Sequence, residues 1–448
     1  MQPIDYVNPE STDSSKLNDG RKSLHIVTWL LALGTFPLIW MGGLVTSHGA
    51  GMSVPDWPNS FGYNMFALPF DRWLGEFAGG VMYEHTHRLL GTLVGLLAIT
   101  AVAFAYGSAR REFWRRVTRV SSGVFVGMAL AQFICSKFLV ESFGIPPPVI
   151  KYLMHGVSGC GSIGIILLIL SIPRQRVEDL KIRRLTLVML LTIIVQGLMG
   201  GFRVTEVSLL LAKLHGIFGQ MVFALAGVLV LMTSEWWGSF RDRSFRESMS
   251  FEPKRLRPLI ILSWIVLLLV LNQLMFGVLM RHDLNRQAGL AIPDWPLHYG
   301  KILPPTDTET LKQANWQRFD KFNLPSVTFK QIWLHFAHRV GAYTTTLAIF
   351  ALGIFTLRRL RNIRPIWPTV LKLVILVSIQ ITLGVLTVLW RKPADIATAH
   401  QATGALLLLT ATVLVVRSGR LYSVRSNRVP SAIQTDREVV PPVEPILN

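Results

Sequence analysis

The stretch Tyr83-Glu84-His85-Thr86-His87-Arg88-Leu89-Leu90-Gly91 opens an apolar run that continues to about Tyr106. A run of that length crosses a hydrocarbon core about 30 Å thick. Ionisable groups at the edge of such a helix are costly and mark a site by default. Glu84 and His87 stand three residues apart, on one helical face. Far along the chain the layout returns as His335-Phe336-Ala337-His338-Arg339-Val340-Gly341, again heading a long apolar run. His335 stands where the first copy has Glu84. A lone histidine at a helix end is usually a cap or an interfacial residue. A His-Arg pair repeated at the head of two apolar runs reads as a site.

Outward from these two stretches, the chain of 448 residues is 51% hydrophobic and 16% charged. Ten apolar runs stand out, at about 26–47, 86–106, 118–139, 152–172, 185–202, 215–234, 258–280, 335–357, 367–389 and 398–416. The pattern predicts an all-α polytopic membrane protein with about ten transmembrane helices. The net charge of +19 would suit a nucleic-acid partner if it were clustered. It lies instead in every second loop, at Arg110 to Arg119, Arg174 to Arg184, Arg241 to Arg257 and Arg358 to Arg364. The positive-inside rule then places both termini in the cytoplasm and excludes nucleic acid as the reason for the charge. Cys135 and Cys160 lie inside apolar segments, with no disulfide or metal-binding spacing. The first 25 residues are polar and acidic enough to differ from a cleavable signal.

With that orientation His87, His155, His215, His338 and His400 all fall at the outer ends of their runs. Histidines aligned at one membrane depth fit one outward-facing site or a pair of them.

Two long outer loops begin alike. Gly43 to His48 resembles Gly277 to His282, and Gly51-Met52-Ser53-Val54-Pro55-Asp56-Trp57-Pro58 is echoed by Gly289-Leu290-Ala291-Ile292-Pro293-Asp294-Trp295-Pro296. Proline and tryptophan suit a rigid interfacial turn, which would roof the site. A second unit closes each half: Gln196-Gly197-Leu198-Met199-Gly200-Gly201 leads to His215, and Gln380-Ile381-Thr382-Leu383-Gly384 leads to His400. Small residues there let helices approach closely. A weaker copy, Gln132 to His155, reads as an extra hairpin at about 113–175. The expected organisation is two pseudo-repeated four-helix bundles plus that hairpin. Its parts are a cytoplasmic tail (1–25), a first bundle (26–235), a basic cytoplasmic linker (236–257), a second bundle (258–416) and a disordered cytoplasmic tail (417–448).

Paired imidazoles facing each other across a bundle suit haem iron with two axial histidines. Zinc fits less well, because no cluster of three or four ligands appears. Arg88 and Arg339 suit the carboxylates of a haem; equally, they could snorkel to the headgroups. Glu84 can exchange protons beside a haem, whereas His335 offers no carboxylate. The first half is therefore the candidate reaction site and the second the candidate electron-transfer site.

The set Glu84-x-x-His87-Arg88, Gln196 to Gly201, His215, His338-Arg339 and His400-Gln401, with the stretch at 43–58, resembles the haem A synthases of bacterial membranes and mitochondria. The likeness covers about 26–235 and 258–416. It implies oxidation of the C8 methyl of haem O to the formyl of haem A, for cytochrome c oxidase. It further implies Glu84 as the catalytic residue, His87, His215, His338 and His400 as iron ligands, and a resident haem b in the second half. An electron donor such as a ferredoxin, and haem O synthase and cytochrome c oxidase subunits as partners, follow from the same likeness, as does the bacterial cytoplasmic membrane with its sites toward the outer face. The hairpin at 113–175 departs from the family pattern, and its His155 competes with His215 as partner of His87. His215 is preferred, because Gln196 to Gly201 keeps the small residues that Gln132 to Lys137 lacks. The outer-loop cysteine pair of some members is missing, and His85 and His335 are imidazoles without an assigned role.

Two other classes remain open. A dihaem cytochrome b would only pass electrons, and would stagger its haems across the bilayer. A repeat-built transporter would carry polar groups near the midplane. A family member that acts in assembly without the activity is a further possibility. Pigment content separates the haem readings from the transporter.

Overall fold

The computed structural model describes residues 14–75, 78–107, 118–130, 147–172, 176–240, 253–283, 288–361, 363 and 366–426. Ten long helices carry the architecture. They are α1 (Ser14–Ser47), α2 (Gly80–Tyr106), α3 (Pro147–Ser171), α4 (Leu180–Thr205), α5 (Leu209–Thr233), α6 (Pro253–Arg281), α7 (Thr308–Phe322), α8 (Phe329–Arg359), α9 (Trp367–Leu389) and α10 (Ala394–Ser426). Residues 118–130 are helical as well. Among the described residues there is no strand beyond two isolated bridges, Ser60 with Tyr63 and His298 with Lys301.

Among the described residues eight helices are long and apolar enough to cross a membrane: α1, α2, α4, α5, α6, α8, α9 and α10. Their large aliphatic side chains face outward, as at Leu33, Leu191, Leu268 and Leu347. In water such a belt would be an aggregation hazard, whereas in lipid it is the stable arrangement. The protein is a multi-pass membrane protein. Of the two further spans expected, the one at 118–139 is described only to residue 130. For that at 152–172 the described apolar helix is Gly159–Ser171. The rest of the hairpin, most of the 236–257 linker and the 427–448 tail lie outside the described residues.

Side chains close the helix ends where the chain must turn. Asp179 and Ser208 accept from the first free N–H groups of α4 and α5. Capping boxes at Asp307 with Thr310 and Thr328 with Gln331 open α7 and α8.

In the first half α1 packs on α2, α2 on α4, α4 on α5, and α5 back on α1. In the second α6 packs on α8, α8 on α9, α9 on α10, and α10 back on α6. Each set is a closed four-helix bundle with an apolar centre. Leu31, Val94, Met189 and Leu229 fill the first, and Ile349, Leu352, Leu373 and Leu414 the second. The bundles meet through α1, α5, α6 and α10. Close approach there is set by Gly227, where a Cβ would come within 2.7 Å of Leu409. Helix α3 lies outside, against α2, and Ser122 donates to the Gly164 carbonyl to hold the 118–130 helix on it.

Candidate functional site

Antiparallel neighbours bring the C-terminal ends of α1, α4, α6 and α9 to the same end as the N-terminal ends of α2, α5, α8 and α10. Arg21, bonded to the carbonyls of Met232 and Thr233, and Arg420, stacked on Trp237, lie at the other end.

Two imidazole pairs form at the first end. His87 of α2 faces His215 of α5, with ring centroids 6.2 Å apart and planes crossed at 78°. His338 of α8 faces His400 of α10 at 6.4 Å and 67°. Thus the four histidines read as ligands meet in the expected pairs. Each ring lies over a glycine on the preceding helix of its bundle. A Cβ would come within 3.0 Å of His87 at Gly42, 2.9 Å of His215 at Gly200, 3.6 Å of His338 at Gly277 and 3.1 Å of His400 at Gly384.

The residue four before each glycine orients the imidazole. His87 Nδ1 donates to the Leu38 carbonyl, His215 Nδ1 to Gln196 and His400 Nδ1 to Gln380, each at 3.1 Å. A carbonyl only accepts, so the proton sits on Nδ1 in these three, and at His87 and His215 the Nε2 lone pair takes no hydrogen bond among the described residues. At His338 the arrangement is reversed: the Gln273 side-chain amide N–H points at Nδ1 from 3.0 Å, so there Nδ1 accepts. Gln380 also reaches His400 Nε2, at 3.3 Å. The glycine meeting His87 is Gly42, one residue before the Gly43 that sequence similarity sets against Gly277; Gly43 faces Thr398 instead.

The outer loops make matching sets of hydrogen bonds. Asp56 accepts from the N–H groups of Phe61 and Gly62, and Asp294 from those of Tyr299 and Gly300. Those two residues have positive φ in each loop, and the Trp57–Pro58 and Trp295–Pro296 bonds are cis. Arg88 donates to the carbonyls of Val54, Asp56 and Asn59. Arg339 donates to those of Ile292, Asp294 and Leu297. Both guanidiniums, expected beside haem carboxylates, are thereby committed to holding the loops. Trp57 of the first loop lies against Gly201 of α4, where a Cβ would overlap its ring. The second loop has its own buried anchor: Arg318 donates to the carbonyls of Leu290, Ala291 and Pro325. Beside it the Tyr299 phenol donates to the Ala291 carbonyl, and burial pushes its pKa up to about 12.

Glu84 is buried and bound on both oxygens, by the Val54 N–H at 2.9 Å and by Arg88 at 3.0 Å. His335 takes the same place, with the Ile292 N–H 3.1 Å from Nδ1 and Arg339 3.3 Å from Nε2. Each ties its loop to its His-Arg helix. His85 is buried against the Trp73 edge, with Ser60 Oγ 3.3 Å from Nδ1. His155 belongs to α3, and its side chain is outside the described residues.

Three cations and an imidazole near the first pair were not singled out from the sequence. Arg203 of α4 acts on both of its rings, Lys213 of α5 acts on His282, and Arg281 and His282 end α6 between the bundles. Burial and the surrounding positive charges of Arg203, Arg281 and Lys213 lower the His282 pKa to about 3.

Comparison with known proteins settles the family. Residues 155–413, more than half of the chain, match the profile of the cytochrome oxidase assembly protein family, COX15-CtaA. The chain belongs to this family. Among relatives of this cytochrome oxidase assembly protein family, the haem A synthase of Allorhizobium ampelinum is 33% identical over 152 residues. That match covers 34% of this chain and 38% of the relative. The haem A synthase of Mesorhizobium japonicum is 33% identical over 147 residues, covering 33% of this chain and 37% of that protein. The haem A synthase of Shewanella oneidensis is 27% identical over 253 residues, 56% of this chain and 71% of its own. The matches to the first two relatives thus span less than half of their length.

Proposed function

We propose that the chain is a haem A synthase, oxidising the C8 methyl of haem O to the formyl of haem A. The observation that carries this reading is the spacing of the two imidazole pairs. A metal–imidazole bond of about 2.0–2.1 Å and a ring radius of roughly 1.1 Å put two opposed ligand rings about 6.3 Å apart. The pairs stand at 6.2 and 6.4 Å. The Nδ1–H bonds of His87, His215 and His400 to backbone carbonyls, and the glycine cradles, are supports that iron-ligating histidines would need. Among the described residues no three His, Cys, Asp or Glu side chains gather as a conventional metal site would need. The donor set therefore fits an iron already held in a macrocycle.

In this reading the first bundle (26–235) is the catalytic half, and the second (258–416) holds a resident haem b through His338 and His400. Haem supplies the one-electron and oxygen chemistry when bound. His87 and His215 hold the substrate haem, and Trp57 with its loop excludes water from it. Glu84 provides the carboxylate one turn before His87. Its first task is to fix the loop through Val54 and Arg88; exchange of a proton at this carboxylate is the part His335 cannot reproduce. Electrons come from a donor such as a ferredoxin, and haem O synthase and cytochrome c oxidase subunits are the partners. The membrane is the bacterial cytoplasmic membrane, with both termini cytoplasmic and both pairs toward the outer face. The eight candidate spans and the basic residues gathered opposite the histidines support that orientation.

The near-equality of the two pairs, and the shared loop-tying of Glu84 and His335, favour one second reading: a dihaem cytochrome b. Extracted pigment decides between them. Haem b accompanied by haem O or haem A supports the synthase, haem b alone supports the electron carrier, and a colourless protein refutes both.

A further inference from the structure

A haem carries two carboxylates, and the arginines next to the histidines already have partners: Arg88 and Arg339 are engaged with loop carbonyls and with Glu84 or His335. The uncommitted positive charge lies elsewhere. Arg203 makes one hydrogen bond, from Nη2 to the Gly51 carbonyl at 2.8 Å. It lies close enough to His87, His215 and His282 to act on all three. Lys213, two residues before His215, has no side-chain partner among the described residues. Neither does His282, whose Nε2 lies 3.5 Å from where a Cβ on Gly216 would stand. Behind them Arg281 bonds only neutral oxygens, the carbonyls of Gly43 and Ala397 and the Ser47 hydroxyl. Its Nε is sealed from solvent without a partner.

None of these cations forms an ion pair among the described residues. Glu84, the acid that acts on Arg203, is paired with Arg88, and Asp283, next to His282 in the chain, accepts from Gln331. Clustered charge withdrawn from water without a counter-ion is costly, and a carboxylate brought by a ligand would remove that cost. We propose that Arg203, Lys213 and His282 form the binding site for the carboxylates of the tetrapyrrole held at the His87–His215 pair, with Arg281 as a buried positive support. The inference rests on the haem reading above. It adds that the first site is completed by the second bundle, because His282 and Arg281 end α6.

The probes are ferric protoporphyrin IX and its dimethyl ester, which keeps the iron and ring but lacks the two charges. Each is titrated into the purified full-length protein while the Soret band is followed, and His215→Ala identifies the step belonging to the first pair. The unaltered protein prefers the free acid at that step. Arg203→Gln weakens free-acid binding by about tenfold to hundredfold, the range of one charge-assisted hydrogen bond, and leaves the ester unchanged. Arg203→Lys retains part of the preference. Equal weakening of acid and ester in Arg203→Gln, or an intact preference, overturns the site. If Arg203→Gln does not fold, Lys213→Gln carries the test, since its ammonium has no hydrogen-bond or ion-pair partner among the described residues; an undiminished preference there overturns the site equally. Absence of any His215-dependent Soret step with either probe refutes the haem reading itself.

Discussion

Gly384 and Gly277 lie under the two histidines of one pair, and alanine at each separates a steric effect on the ligand from an effect on the fold. At Gly384 the new Cβ would stand 3.1 Å from His400 Cε1, so the imidazole must retreat by about 0.3 Å to reach ordinary contact at 3.4 Å. It cannot retreat freely, because Nδ1 is tied to the Gln380 carbonyl at 3.1 Å. Overpacking of this kind costs about 1–3 kcal/mol, which weakens the His400–iron bond by about tenfold to hundredfold. At Gly277 the Cβ would stand 3.6 Å from His338, an ordinary contact. In both cases alanine favours the helix by about 1 kcal/mol over glycine, so unfolding is not promoted. The expected outcome is a loss of low-spin haem b signal in Gly384→Ala and an unchanged spectrum in Gly277→Ala, read by optical and electron paramagnetic resonance spectra. Thermal unfolding of both should stay near that of the parent. Equal loss in the two variants, or an unperturbed spectrum in Gly384→Ala, would show that the glycines do not set the position of the ligand rings.

Three further outcomes follow from the same geometry. Replacing His338 or His400 by alanine removes low-spin haem b, and an unchanged spectrum in both variants rejects the second pair as its site. Glu84→Gln keeps haem b and the bound substrate haem but accumulates haem O or an alcohol intermediate. Glu84→His gives the same product block with the loop intact, because His335 already ties an equivalent loop; normal haem A from either variant leaves Glu84 with a structural role alone. Finally, His215→Ala abolishes substrate-haem binding and His155→Ala does not, and the reverse pattern transfers the ligand role to the inserted hairpin.

The sequence made the histidines legible because each occurs twice in the same local setting. Apolar runs and basic loops were enough for an all-helical membrane protein, and the two Gln-to-His units were enough to pair His87 with His215 and His338 with His400. The purpose of the glycines was visible only as close helix approach; that each one cradles an imidazole requires knowing which faces meet. The arginines were read wholly from their neighbours in sequence. Arg88 follows His87, yet its guanidinium turns to Val54, Asp56 and Asn59, 29 to 34 residues away. No local spacing encodes that contact, since it depends on a loop folding back over the helix that follows it.

A comparison of two copies finds what the copies share and passes over what joins them. His282 and Arg281 illustrate this: the matching segment of the first bundle has Ser47 and an exposed His48, stacked on Tyr83, in their places. Arg281 instead reaches across to the Gly43 carbonyl and Ser47, and Ser47 meets the Thr398 hydroxyl at 3.1 Å, two residues before His400. Hydrogen bonds among Arg281, Gly43, Ser47 and Thr398 thus tie α1, α6 and α10 together beside the pairs. Buried polar contacts of this kind fix one relative placement of the bundles, since sliding either would leave Arg281 without its oxygens. If the second pair delivers electrons to the first, that fixed placement is what keeps their separation constant.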